Sequence, residues 1–370
     1  MSNPPTIAVV DLKDLRPDAP AAARAEAGRA LREAFGHFGL VYVKGHELTS
    51  GEIDAFYDSF MGFTKRPEAY KQAFARADLW YQRGWTPPNT EKAVVAGGQP
   101  DFKECFFVAP EGFDAESRAQ YPQLYCDNLW PDDGDHFDAA AFKERYLTVG
   151  HKLHAAGKAL LAGCALALGL PEHAFVELTE HGPHVTRVLH YLALRPEQIG
   201  TGILWGEEHT DFNLLTLLPG GRFYDPAGKS CARPDDKSGL YLRTRSTPDA
   251  PAGHMVQGRP PEGCLVAQVG QMLEILTGGT FLATPHVVTA PGTPGYSRMS
   301  SAHFMHLHSN ALLYPFPAFR SADAVREYSP PVLAGTYSIK TLVDIGLAPR
   351  EALDRLGYRQ YDRLGSLRAL

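Results

Sequence analysis

Between residues 185 and 306 the chain repeats one local pattern: short β-branched and apolar runs (185–194, 212–218, 239–243, 264–269, 285–289 and 298–306) separated by glycine- and proline-rich turns. Runs this short bury their apolar faces only by pairing with one another, so this half of the chain is constrained to a sandwich or barrel. The region before it reads differently. Asp138 to Leu168 is a long helix former whose Phe142, Tyr146, Val149, Leu153, Leu160 and Leu161 recur at helical spacing, which predicts a support helix packed on the sheets. Nearer the start, Ile7–Leu12 and Leu40–Val43 read as strands. Helices follow each of them, one carrying Leu31, Ala34, Phe35 and Phe38 and one from about Ser50 carrying Ile53, Phe56, Tyr57 and Phe60.

The expected fold is therefore mainly β with flanking helices. One integrated domain is divided into an N-terminal α/β region (1–130), a helix-supported core (131–320) and a C-terminal helical segment (321–370). Two polar inserts, 219–238 and 244–262, interrupt the β half. Basic and acidic residues, 36 and 42, are mixed along the chain for a net charge of −6. No basic stripe points to nucleic acid or an anionic membrane, and the expected partner is a small molecule. Five widely spaced cysteines form no C-x-x-C pair, and the start lacks a secretory pattern. Both features predict reduced thiols in a cytoplasmic protein. A monomer is expected.

The chemistry concentrates at Gly206-Glu207-Glu208-His209-Thr210-Asp211-Phe212. In extended backbone His209 and Asp211 share a face, so an imidazole and a carboxylate can bind one cation. Glu207 and Glu208 read as solvated rim. Among fifteen histidines, His286 is singled out as the third ligand because it opens a β run just after a turn. Two histidines and one carboxylate leave three positions open on octahedral iron(II). Twelve residues on, Arg298 and Ser300 alternate onto one strand face, where a guanidinium fork and a hydroxyl suit the distal carboxylate of a dicarboxylic oxoacid. Arg187, Leu189 and Tyr191 share another strand face. Tyr191 is placed to donate to the same oxoacid, and Arg187 is read either as neighbouring its other carboxylate or as a surface ion pair. His303, His306 and His308 alternate after Arg298; a buried or pocket-facing role is the commoner reading for them than a second metal.

In this order, H-x-D, about seventy residues, H, about a dozen, R-x-S, the chain resembles the isopenicillin N synthase-like branch of the iron(II)- and 2-oxoglutarate-dependent oxygenases. EEHTDFNLLTLL is similar to the first-ligand strand, TPHVV to the distal histidine and SRMSSAHF to the oxoacid strand. The N-terminal IAVVDL, FGHFGLVYVKGHEL and RVLHYLAL extend the likeness over roughly residues 5 to 315. Stretches 96–108 and 276–286 are also similar to bacterial ethylene-forming enzymes, from which the two inserts depart. The resemblance implies a double-stranded β-helix, the cupin-like jelly roll, with iron(II) on His209, Asp211 and His286. It further implies 2-oxoglutarate on Arg298, with dioxygen and a primary substrate completing the reaction, and decarboxylation to succinate.

Residues 80–110 read as a loop rich in glycine, proline and aromatics, expected to close over the metal mouth. Its Tyr81, Arg83, Trp85 and Glu91, with Phe304 beyond the oxoacid strand, are the candidate substrate contacts, although Trp85 and Phe304 each also read as core. Charges of both signs there, Lys103 and Glu104 among them, favour an amino-acid-like substrate. Three other readings stay open: an iron(II) oxidase that does not use 2-oxoglutarate, an enzyme that fragments 2-oxoglutarate to ethylene, and a cupin-like protein that binds without turnover.

Overall fold

A computed structural model describes residues 7–90, 102–109, 112–135, 137–245 and 253–357. The β half folds into two facing sheets, as the short runs require. The larger sheet orders its strands Val9–Asp11, Leu40–Lys44, Leu265–Val269, Leu215–Leu218, Ser297–Met305, Val185–Tyr191, Lys103–Val108 and Gly84–Thr86, with Arg222–Tyr224 and Ser230–Cys231 attached at one side. Except for the first pair, which is parallel, neighbours run antiparallel. The smaller sheet is Met255–Gln257, Gly239–Arg243, His286–Thr289 and Gly206–His209. This is the jelly-roll core.

Strand alternation divides the larger sheet's side chains between two layers. Leu40, Tyr42, Leu189, Tyr191 and Val266 face the smaller sheet's Leu240, Leu242 and Val288 in the inner layer. Their neighbours Val41, Val43, Val188, Leu217, Met299 and Met305 face the helices. Burying each such aliphatic side chain stabilises the fold by about 1.5–3 kcal/mol. The long helix Ala139–Ala167 starts at Asp138, whose carboxylate accepts from the Ala141 amide. Its Gly157 lets it lie directly on the sheet, because a Cβ there would come within 2.1 Å of the Met305 sulfur. The helix Ser50–Thr64 begins with a reciprocal Thr49/Glu52 capping box and buries Ile53, Phe56, Tyr57, Phe60 and Phe63. Among the described residues, no helix is long and apolar enough to cross a membrane.

The aromatic segment 80–110 is not one loop. Gly84–Thr86 and Lys103–Val108 pair with each other and extend the larger sheet beside Val185–Tyr191. Glycine and proline content masked this, because both strands are short and fully buried at a sheet margin. Glu91 lies outside the described residues.

A buried histidine group sits between that sheet and the long helix. His303 Nδ1 is 3.0 Å from Thr186 Oγ1, its Nε2 is 3.2 Å from His154 Nδ1, and the His184 ring lies 4.6 Å from that of His154. Burial, with neighbouring positive groups, pushes His154 down to about 4 and holds His184 and His303 well below the usual histidine range. The unfolded chain protonates these rings near pH 6.5 and the folded protein does not, so the unfolded state binds more protons below that pH. Stability is therefore expected to fall as pH drops from about 6.5 towards 4, by about 1.4 kcal/mol per pH unit for each ring kept neutral. Urea unfolding across that range checks this: His154→Gln should flatten the slope, and an unchanged slope would contradict it.

Candidate metal centre

His286 and His209 are direct partners across adjacent strands of the smaller sheet. Their ring centroids lie 4.4 Å apart. His209 ends its strand, and Asp211, just outside it, brings its carboxylate close to both rings. Asp211 Oδ1 is 3.7 Å from His209 Nε2 and 3.8 Å from His286 Nε2. A cation bonded at about 2.1 Å to two donors spans up to about 4.2 Å between them, so these separations fit one ion. All three donors lie within 4.8 Å of one another, and theirs is the metal-competent group found among the described residues.

The surrounding bonds aim these donors. His209 Nδ1 donates to the Glu207 carbonyl at 2.7 Å, leaving Nε2 for a metal. His286 Nδ1 is flanked by the Thr284 carbonyl at 3.3 Å and by the Gln268 side-chain amide. Thr216 donates to Asp211 Oδ2 at 2.7 Å, turning Oδ1 towards the imidazoles. Burial raises the Asp211 carboxyl, but His286 and His209 outweigh it and keep it ionised; burial pushes His286 down to about 4. At neutral pH the carboxylate is charged and His286 neutral, the forms a metal needs. His209, 38% exposed, marks where the site opens.

Thr216 and Gln268 escaped the sequence reading. Each is the polar residue inside an otherwise apolar, buried strand, and such a residue must find a hydrogen-bond partner. That is the signal that could have found them. Thr216→Val should lower metal affinity by about 10- to 100-fold with little change in fold. Calorimetric titration with iron(II) or manganese(II) would show it, and unchanged affinity would remove Thr216 from the site.

One layer further into the barrel lies a cavity of about 560 Å³. Leu218, Val266, Val288 and Leu240 line it, each two residues along its strand from Thr216, Gln268, His286 and Leu242 respectively. Arg298, Ser300 and Tyr191 also line it, as alternation required. The Arg298 guanidinium lies 5.4 Å from the Tyr191 ring and 5.9 Å from that of Phe223. It passes so close to Gly221 that a Cβ there would sit 2.4 Å from Nε. Among the described residues no carboxylate pairs with it. A half-buried guanidinium in a cavity, without an anion, suits an anionic ligand.

Arg187 points inward rather than to the surface, 5.1 Å over Phe304 and 5.4 Å over Phe107. Phe304 faces the inner layer opposite Thr216, the residue that donates to Asp211. Trp85 is fully buried against the helices and donates to Glu104 at 2.9 Å, so it is core. Glu104 also pairs with Lys71 and His190. Arg83 is 1% exposed and donates to the Gln82 and Leu124 carbonyls. Tyr81 is partly buried in a left-handed turn. The three alternating histidines diverge: His303 joins the buried group, His306 packs 5.5 Å from Phe212, and His308 reaches Ser117. Glu208 sits at the rim, paired with Arg243.

Two family models match the chain. Residues 7–133 match the N-terminal model described as non-haem dioxygenase in morphine synthesis, and residues 184–307 match the 2OG-Fe(II) oxygenase superfamily. The chain belongs to this superfamily. Its iron(II), 2-oxoglutarate and dioxygen requirements follow, and the oxygenase is similar to several curated enzymes. It is 28% identical to a homoarginine-6-hydroxylase of Oryza sativa subsp. japonica, over 77% of this chain and 78% of the relative. It is also 28% identical to a 2-oxoglutarate-dependent ethylene/succinate-forming enzyme of Ralstonia nicotianae, over 80% and 82%. A crystal structure of a putative 2OG-Fe(II) oxygenase family protein from Caulobacter crescentus superposes with a TM-score of 0.73 at 25% identity, covering 92% of this chain and 99% of that one.

Proposed function

We propose that His209, Asp211 and His286 hold the iron, and that Arg298, Ser300 and Tyr191 hold the distal carboxylate of 2-oxoglutarate. Arg187 lies towards the metal end, where its charge acts on His286. The observation that carries this reading is the stacking of a three-donor group one barrel layer above a cavity whose Arg298 has no carboxylate partner among the described residues. Bound iron(II) supplies dioxygen activation coupled to decarboxylation of 2-oxoglutarate, and three protein ligands leave room for both. The chain's own share is orientation and dryness. Thr216 and the Glu207 carbonyl fix the ligands, Leu242 and Val288 exclude water, and Phe304 walls the substrate side.

The substrate in this reading is a small, amino-acid-like molecule, which the relative named as a homoarginine hydroxylase supports. Placement in the isopenicillin N synthase-like branch rests on the motif order. A cytoplasmic location is supported by five cysteines without disulfides. Fragmentation of 2-oxoglutarate is the second reading, favoured by the likeness to an ethylene/succinate-forming enzyme. Succinate and ethylene should be measured together in the presence of iron(II), 2-oxoglutarate and a panel containing arginine, homoarginine and proline. Succinate release stimulated by one amino acid, with that amino acid oxidised, supports the first reading. Ethylene as the main product replaces it with the second, and succinate release indifferent to the whole panel contradicts an amino-acid-like substrate.

A further inference from the structure

The two inserts that interrupt the β half meet at the Arg298 cavity. From the first come Gly221, Arg222 and Arg233; from the second come Arg259 and Glu262. The three metal-group residues are not among the cavity's walls, so the inserts rim it on the side away from the metal layer. This rim is strongly cationic. Arg222 is neutralised by Asp54 at 2.5 Å, and the exposed Arg259 reaches Asp236 at 3.5 Å. Arg233 is different. Its guanidinium donates to the Ser238 carbonyl at 2.5 Å and lies 5.7 Å from the Phe223 ring that Arg298 also approaches, and among the described residues no carboxylate pairs with it. Gly239, at φ +115°, gives it room: a Cβ there would stand 3.0 Å from Nη1. Burial, then the charges of Arg259 and Arg298, press on Arg233 and disfavour its cation. Among the described residues, Glu262 is the one carboxylate in the cavity wall.

Of the four arginines in the cavity wall, Arg222 and Arg259 are paired with carboxylates, whereas Arg233 and Arg298 pair with none among the described residues, which leaves a positive charge that an incoming dianion relieves. A pocket needing only to hold 2-oxoglutarate already has Arg298 for the distal carboxylate. The additional cations stand where a dicarboxylate would first meet the protein, and field focusing by such clefts raises association rates by about 10- to 1,000-fold.

We propose that the inserts form a cationic port through which the dicarboxylate cosubstrate reaches its pocket from the side away from the metal, met first by Arg259 and Arg233 and then docked at Arg298. The inference rests on Arg298 being the anchor and gives the inserts a role in capture rather than in holding.

The test is stopped-flow mixing of the iron(II)-loaded protein with 2-oxoglutarate without oxygen, following the metal-to-ligand absorption band. The double variant Arg233→Gln/Arg259→Gln should associate about tenfold more slowly at low salt while dissociating at the wild-type rate. That gap should close at about 1 M salt, where the Debye length falls to ~3 Å. Glu262→Gln, which removes the opposing charge, should associate about twofold faster under the same low-salt conditions. Unchanged association in the double variant overturns the port. So does a slowing that persists undiminished in salt, or a Glu262→Gln variant no faster than wild type. Arg298→Ala measured in parallel separates the two claims. If it binds 2-oxoglutarate as tightly as wild type, the anchor reading fails; if it loses binding while the double variant associates normally, the port alone fails.

Discussion

Arg298→Ala is expected to weaken 2-oxoglutarate binding by roughly two to three and a half orders of magnitude and to leave iron binding close to wild type. The size follows from the surroundings: the guanidinium lies 5.4 Å from the Tyr191 ring and 5.9 Å from that of Phe223, and among the described residues no carboxylate pairs with it. Removing one partner of a desolvated charge pair costs about 3–5 kcal/mol, and each 1.4 kcal/mol is about tenfold. The separation of effects follows from the layering. Arg298 is the second residue of the strand Ser297–Met305, whereas Phe304, near its far end, lies opposite the Thr216 that holds Asp211. Arg298→Lys should recover only part of the loss, because a point charge does not reproduce the planar fork. Anaerobic titration of the absorption band reads the cosubstrate, and calorimetry with iron(II) reads the metal. Wild-type cosubstrate affinity in Arg298→Ala would place the anchor elsewhere.

Asp211→Ala is expected to abolish turnover and to remove tight iron binding. The carboxylate is buried and ionised, and it lies between two imidazoles whose free nitrogens converge on it. Without it, two neutral imidazoles remain, one already restrained by the Glu207 carbonyl, and no anionic ligand balances the ion. His286→Ala should have the same effect on turnover. Succinate formation and metal content after gel filtration check both variants. Retained iron with wild-type succinate release in either variant would exclude that residue as a ligand.

Much of this site was legible because strand geometry converts spacing into facing. Arg298 and Ser300, two apart, line one cavity, as do Leu189-side residues such as Tyr191, since alternation holds wherever the backbone is extended. His209 ends its strand and Asp211 lies just past it, two residues on. The pairing of His286 with His209 was beyond the sequence, because register between strands separated by more than seventy residues is set by tertiary packing.

The segment around Trp85 shows the opposite failure. Glycine and proline there read as loop, yet Gly84–Thr86 closes the margin of the larger sheet, and burial against the helices overrides the local preference. Glu104, which read as a free charge, is paired with Lys71 and His190, and the terminal nitrogens of Arg83 donate to backbone carbonyls, partners no local pattern could supply. The long helix was plain because its apolar period runs through 29 residues, whereas Gly157 gained meaning only once Met305 was seen against it.

The proposed centre holds one ion in one place, so the most direct measurement is anomalous diffraction at the iron edge from crystals grown without oxygen with iron(II) and 2-oxoglutarate. A single strong peak is expected about 2.0–2.3 Å from His209 Nε2, His286 Nε2 and an Asp211 carboxylate oxygen, with the bound oxoacid reaching from that ion to Arg298. A peak that leaves any of the three outside coordination distance, or an oxoacid whose distal carboxylate does not touch Arg298, would contradict it.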